Sequence, residues 1–213
     1  MNKVNHPNVF LVGFPKCGTT SMTDLLSQHP EVFVCPIKEP NYYARDLFRI
    51  NPFRDHTDRE LYLKLFDAAS PKQHNVIVDA SITAILSSSK GVCEIKNDYP
   101  DAKIIVMLRN PLDAALSFYL QADKAGHPDS ALNFEQAWYD YPNRSSVVIN
   151  QKNISTNYIL NYAEVYSYHK HLTKLYEVFS DSNIHIIIFD DFIRDTLIEF
   201  KKLCGFLEID SSF

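Results

Sequence analysis

Five short runs of almost uninterrupted apolar residues, at 9–12, 32–34, 76–78, 104–108 and 184–189, constrain this chain more than any other feature. They are rich in Val and Ile and lack the alternation of a half-exposed strand, so each has to be covered on both faces. Stretches of helical character separate them, at 19–28, 59–68, 91–99, 111–125, 134–139, 154–179 and 192–204. In the longest of these, Tyr158, Tyr162, Val165, Leu172, Leu175 and Phe179 recur at helical spacing, which reads as burial against a sheet. Strand and helix in alternation imply βαβ units, and the expected fold is α/β, a three-layer sandwich around a mostly parallel five-stranded sheet. With 213 residues, 46% of them hydrophobic, one core is the economical solution, so a single domain over 1–213 is expected.

Composition excludes several roles. A net charge of −5 offers no broad attraction to nucleic acid or to an anionic membrane, so any bound anion must be held by a few placed cations. Cys17, Cys35, Cys93 and Cys204 form no CxxC pair and no metal-ligand spacing. They read as reduced thiols of a cytoplasmic protein, and no metal is expected. No window reaches the roughly 18–20 apolar residues that span a bilayer, and residues 1–8 do not look like a leader. The sequons at Asn143 and Asn153 would matter only after secretion, and no glycan is expected there. Nothing in the composition sets an oligomeric state. His29, His74, His169 and His171 lack metal-like pairing and are read as structural.

The sharpest local signal is the stretch Val9-Phe10-Leu11-Val12-Gly13-Phe14-Pro15-Lys16-Cys17-Gly18-Thr19-Thr20-Ser21, a strand passing through a tight turn into a helix. Gly13 and Gly18 let the backbone turn and approach a ligand, and the free amides opening the helix converge on an anion with the helix dipole behind them. Thr19, Thr20 and Ser21 add hydroxyl donors. Against the nucleotide-triphosphatase pattern GxxxxGK[ST], the turn is P-loop-like in keeping both glycines, yet it has Thr19 where the lysine belongs and carries its lysine earlier, at Lys16. That shift argues against triphosphate hydrolysis. Cys17 either fills a small position or, at a helix N-terminus, has a lowered thiol pKa and is open to oxidation. A second anchor is Arg109 at the end of the 104–108 strand, with Ser117 on the helix that Pro111 opens. A guanidinium and a hydroxyl together suit a phosphate, although Arg109 alone could pair with Asp113. Asp113 is read as capping or bracing that helix.

Pro15-Lys16-Cys17-Gly18-Thr19-Thr20 resembles the PKSGTT or PKAGTT loop of sulfotransferases that use 3′-phosphoadenosine 5′-phosphosulfate (PAPS), and Arg109-Asn110-Pro111, with Asp113, Ser117 and Tyr119, resembles their RNPxDxxxSxY motif. Ser21-Met22 after the loop sets the chain nearer the carbohydrate and bacterial branch than the aryl and steroid one. The resemblance extends through Gln28-His29-Pro30, Lys38-Glu39-Pro40 and the 187–193 segment. It implies that Lys16, Cys17, Gly18, Thr19, Thr20 and Ser21 bind the 5′-phosphosulfate and that Arg109 and Ser117 bind the 3′-phosphate. The Lys38-Glu39-Pro40-Asn41-Tyr42-Tyr43 segment is similar to the branch's KEPHFF-like stretch and makes Glu39 the candidate base, with Lys16 as its catalytic partner. The bland alternative for Glu39 is a surface carboxylate paired with a lysine. Parallel strands end on one rim, so Glu39, Lys16 and Arg109 are expected to open onto one crevice. Asp79-Ala80-Ser81 resembles a segment near the family's acceptor pocket, so Ser81 is expected to touch cofactor or acceptor unless Asp79 simply caps a turn.

The function implied is transfer of a sulfuryl group from PAPS to an acceptor hydroxyl on a small molecule or carbohydrate, with loops at 49–58 and 121–133 setting acceptor specificity. Two other readings stand beside it. Val76-Ile77-Val78-Asp79 and Ile186-Ile187-Ile188-Phe189-Asp190 each resemble a metal-binding Walker B strand, as in a kinase or nucleotide triphosphatase. The family's chains also continue past a segment like 205–213 into a basic, glycine-rich loop that closes over the cofactor. The expectation is therefore either a truncated form without that closing segment or a domain with a more open site, and the third reading is a nucleotide-binding module without catalysis.

Overall fold

The computed structural model describes residues 5–46, 58–82, 86, 88, 90–124, 133–139 and 161–212. Each apolar run forms a strand: β1 (Val9–Leu11), β2 (Val32–Val34), β3 (Val76–Asp79), β4 (Lys103–Leu108) and β5 (Ile184–Ile188). They make one sheet in the order β2-β3-β1-β4-β5, and every pairing is parallel. In β4, Ile104, Ile105, Val106 and Met107 are all at most 1% exposed. Successive strand residues point to opposite faces, so burial of all four requires cover on both sides of the sheet.

The helices are α1 (Thr19–Gln28), α2 (Arg59–Lys64), α3 (Gly91–Asp98), α4 (Pro111–Lys124), α5 (Phe134–Tyr139), α6 (Tyr162–Val165), α7 (Tyr168–Val178), α8 (Phe189–Arg194) and α9 (Thr196–Leu207). Two long helices expected from periodicity are each interrupted. The 154–179 helix, whose first residues lie outside those described, divides into α6 and α7 at Tyr166 and Ser167. There the Tyr166 hydroxyl donates to the carbonyls of Pro15 and Ala114, while a ring nitrogen of His171 hydrogen-bonds the Glu164 carbonyl at 2.9 Å. Tertiary partners thus replace helical ones.

The 192–204 helix is likewise two helices, and α8 begins earlier, at Phe189, which periodicity had assigned to β5. The break is Asp195, at φ −148°, whose carboxylate accepts from the Ile198 amide at 3.0 Å and caps α9. α2 stops at Lys64, short of the expected 68. Residues 49–57 and 125–132 of the expected specificity loops, and both sequons, lie outside the described residues.

β1 lies at the centre, between β3 and β4, which is where the order of connections reverses. A crevice at the carboxyl ends of the strands is the usual consequence of such a switch point. The helix-opening turn after β1 is therefore set beside the exits of β3 and β4 by topology alone.

Candidate active site

The turn after β1 is built to present amides. Pairing with β4 continues past the strand, with the Phe14 amide donating to the Met107 carbonyl at 3.0 Å and the Met107 amide donating to the Gly13 carbonyl at 3.1 Å. The chain then reverses through left-handed backbone at Lys16 (φ 63°) and Gly18 (φ 86°). The first bond inside α1 runs from the Met22 amide to the Gly18 carbonyl, so the amides of Thr19, Thr20 and Ser21 are left without a helical partner. Gly18 is required twice over. Its φ lies where side chains are disfavoured, and an added Cβ would stand 2.8 Å from the Phe189 ring.

All five strand ends contribute to one cleft of about 360 Å³. Pro15, Lys16, Gly18, Thr19 and Thr20 come from the β1 turn, Lys38 and Glu39 from the β2 exit, and Ile82 from the β3 exit. Arg109 follows β4, Ser117, Phe118 and Gln121 project from α4, and Phe189 opens α8. Lys16 reaches across and donates from Nζ to Gln121 Oε1 at 2.8 Å. Arg109 donates from Nη1 to the Lys16 carbonyl at 3.3 Å, and its guanidinium lies 4.7 Å above the centre of the Phe189 ring. That stacking leaves the edge of the guanidinium to grip an anion. Lys38 Nζ stands 3.5 Å from Thr20 Oγ1. Three cations, Thr19, Thr20, Ser117 and a helix N-terminus therefore line one space, a donor set for an anion at more than one point.

α4 starts where Asn110 and Pro111 dictate. Asn110 Oδ1 accepts from the Leu112 amide at 3.0 Å, and Pro111 needs no partner at the first helical position. The cap is thus Asn110, with Asp113 exposed in the first turn.

Other expected residues sit differently. Cys17 is fully buried and faces inward, its Sγ 3.5 Å from the Pro15 carbonyl and 3.6 Å from the Tyr168 hydroxyl, and its amide already donates to Phe14. Burial pushes its thiol up to about 11, against the lowering by the Tyr168 hydrogen bond and the Arg109 charge. Of the two readings of Cys17, its placement fits the small buried position and not the activated thiol, because desolvation outweighs the groups that favour the thiolate. Ser21 is exposed and does not line the cleft.

Ser81 has no exposed surface and no contact with the cleft, because its hydroxyl donates to Asp79 Oδ1 at 2.6 Å and accepts from the Asn41 amide at 2.9 Å. Asp79 is equally buried and accepts from the Tyr62 hydroxyl at 2.7 Å on its other oxygen. Burial raises its carboxyl to about 6, the two hydroxyls lower it, and the Glu39 charge raises it further. With both oxygens taken and no access to the cleft, Asp79 is not placed as a Walker B ligand. Asp190 is exposed on α8 and lies outside the cleft lining too.

Of the histidines expected to be structural, His29, His74 and His171 are held by backbone groups. His29 Nδ1 accepts from the Glu31 amide at 3.1 Å and Nε2 meets the Asp210 carbonyl at 2.8 Å, while His74 accepts from the Ser70 amide at 2.8 Å.

Sequence reasoning missed Phe189 and Gln121 as cleft residues. Gln121 had a signal, four residues after Ser117 on one helix face. Phe189 had none, because it sits where strand gives way to helix.

Comparison with known proteins agrees with this architecture. The family model described as Sulfotransferase domain matches residues 6–212. Carbohydrate sulfotransferase 15 of Mus musculus is 27% identical over 95% of this chain and 44% of its own length. The chain thus spans less than half of the curated relatives it first matches. Among solved structures, a sulfotransferase from Alicyclobacillus acidocaldarius superposes with a TM-score of 0.86 at 27% identity, covering 99% of this chain and 84% of that one. A mouse sulfotransferase complexed with PAP shares the fold, with a TM-score of 0.55 at 19% identity over 96% of this chain and 59% of that one.

Proposed function

Because the chain belongs to the sulfotransferase domain family, matched along nearly its whole length, we propose that it transfers a sulfuryl group from PAPS to a carbohydrate hydroxyl. The observation that carries this reading is the meeting of the Lys16 turn with Arg109 and Ser117 in one cleft whose rim also holds Glu39. A donor with a 5′-phosphosulfate and a 3′-phosphate has two anionic ends, and the cleft has two groups of donors to suit them. At about 360 Å³ it is of the size that holds small-molecule ligands. The carbohydrate acceptor is supported by the curated relatives, which are named for that class.

In this reading the 5′-phosphosulfate lies on the amides opening α1 and on Lys16, and the 3′-phosphate on Arg109 and Ser117. Glu39 takes the proton from the acceptor hydroxyl as its oxygen forms a bond to sulfur on the side opposite the departing phosphate. The bond from sulfur to the bridging phosphate oxygen breaks, and the electron pair leaves with 3′-phosphoadenosine 5′-phosphate (PAP). Lys16 and the helix amides stabilise the charge that gathers there. No step requires a metal. Four free thiols, three of them buried, support a reducing compartment, and the cytoplasm is part of the proposal.

The test follows sulfate from labelled PAPS into sugar, phenol and lipid-alcohol acceptors. Glu39→Ala should lose about 100- to 10,000-fold in turnover with PAP affinity kept. Arg109→Ala should weaken PAP binding while leaving turnover at saturation much less affected. Transfer only to phenols would overturn the carbohydrate acceptor, undiminished turnover in Glu39→Ala would remove the base, and magnesium-dependent ATP hydrolysis without PAPS turnover would overturn the whole reading.

A further inference from the structure

Ser81 joins two segments that the cleft itself does not join. On one side is Asp79, gripped by Tyr62; on the other is the amide of Asn41 in the turn that carries Glu39. That turn is unusual in its backbone. Glu39 (φ 52°) and Asn41 (φ 57°) both occupy the left-handed region, on either side of the buried Pro40. Neither is glycine, and a residue before proline is biased toward extended backbone, so the local sequence does not hold this shape unaided. Pro40 has no N–H, which makes the Asn41 amide the first backbone donor after Glu39. It is that donor which Ser81 takes.

Asp79 orients the clamp. A serine hydroxyl has one proton, and Asp79 Oδ1 accepts it at 2.6 Å, which turns the oxygen lone pairs toward the Asn41 amide. Tyr62, fully buried, holds the second carboxylate oxygen and so fixes Asp79 in turn. None of these side chains lines the cleft, yet Glu39, next to the clamped segment, does.

We propose that Ser81 and Asp79 are positioning residues that clamp the 39–41 turn and thereby aim the Glu39 carboxylate into the cleft. This rests on the reading of Glu39 as the base.

The experiment measures turnover with PAPS and the best sugar acceptor of the screen above, PAP affinity, and hydrogen exchange at the Asn41 amide. It compares wild type, Ser81→Ala, Glu39→Ala and the double variant. Ser81→Ala is expected to lower kcat about 10- to 100-fold, the cost of a small misplacement of a catalytic group, with PAP affinity kept within about 2-fold. Exchange at the Asn41 amide should accelerate in the same variant. In the Glu39→Ala background, Ser81→Ala should change kcat by less than about 2-fold, because residues acting as one unit are not additive.

Wild-type kcat in Ser81→Ala, with Glu39→Ala impaired, overturns the positioning role and leaves the base intact. Equal losses in both backgrounds overturn it too, and a fully active Glu39→Ala removes base and clamp together. If Ser81→Ala does not fold, Tyr62→Phe loosens the same clamp from behind. It should lower kcat about 3- to 10-fold only where Glu39 is present, and wild-type kcat there overturns the role.

Discussion

At Cys17 two effects of known sign compete. The Tyr168 hydrogen bond and the Arg109 charge favour the thiolate, whereas burial disfavours any charge. Burial prevails and pushes the thiol up to about 11, while that of Cys35 goes up to about 12 for the same reason. Of the four cysteines only Cys93 is exposed. Native protein treated with iodoacetamide at pH 8 should therefore gain one adduct, at Cys93, with the other three labelled only after denaturation; early modification of Cys17 by mass spectrometry would contradict its inward placement. The identity of Cys17 and its place before a helix were legible in the chain. The direction of its side chain was not, since it depends on Tyr168, which arrives from α7 151 residues later.

Among the elements, the β1 turn and α1 were readable to the residue, and α4 nearly so, because glycine, threonine, asparagine and proline act through local backbone preferences. The breaks within 154–179 and 192–204 were not readable as helix ends. Tyr166 and His171 spend their hydrogen-bonding groups on other segments, which periodicity cannot register. At its first residue, α8 packs Phe189 against Gly18 at the start of α1. Gly18→Ala forces a side chain into the left-handed region at a cost of about 1–2 kcal/mol, and its Cβ also meets the Phe189 ring at 2.8 Å. At about 2–4 °C per kcal/mol for a chain of this length, the melting temperature should fall by several degrees. Gly18→Ala with Phe189→Leu should recover the steric part and keep the backbone part. A Gly18→Ala variant that melts with wild type would refute the close approach of α8.

For the molecule as a whole, the net charge of −5 opposes an anionic ligand while Lys16, Lys38 and Arg109 gather in one cleft. Local charge has to overcome the global field, and it is strongest where salt reaches least. A ligand held by the ends of all five strands stabilises the sheet that presents them. PAP at about a hundredfold excess over its Kd should therefore add about 2.7 kcal/mol to stability. Differential scanning fluorimetry should show a rise in melting temperature of about 5–10 °C, largely lost in Arg109→Ala at the same PAP concentration. An equal rise in that variant would mean that PAP binds elsewhere.

From the amino-acid order alone came the parallel sheet and the anion-binding turn, because each depends on residues a few positions apart, continuous apolar runs and a glycine before a helix; that Arg109 and Ser117 belong together came from the resemblance of their motif. Tertiary structure alone decided that Phe189 backs both Gly18 and Arg109, that Ser81 serves the 39–41 turn, and that Cys17 faces the core. The Phe189 contacts join the exits of β1, β4 and β5, the Ser81 contact joins those of β2 and β3, and Cys17 meets Tyr168 of α7. The physical reason is range: backbone preference and periodicity act over a turn or two, whereas hydrogen-bond partners and steric neighbours are assigned by which strands lie adjacent in the sheet.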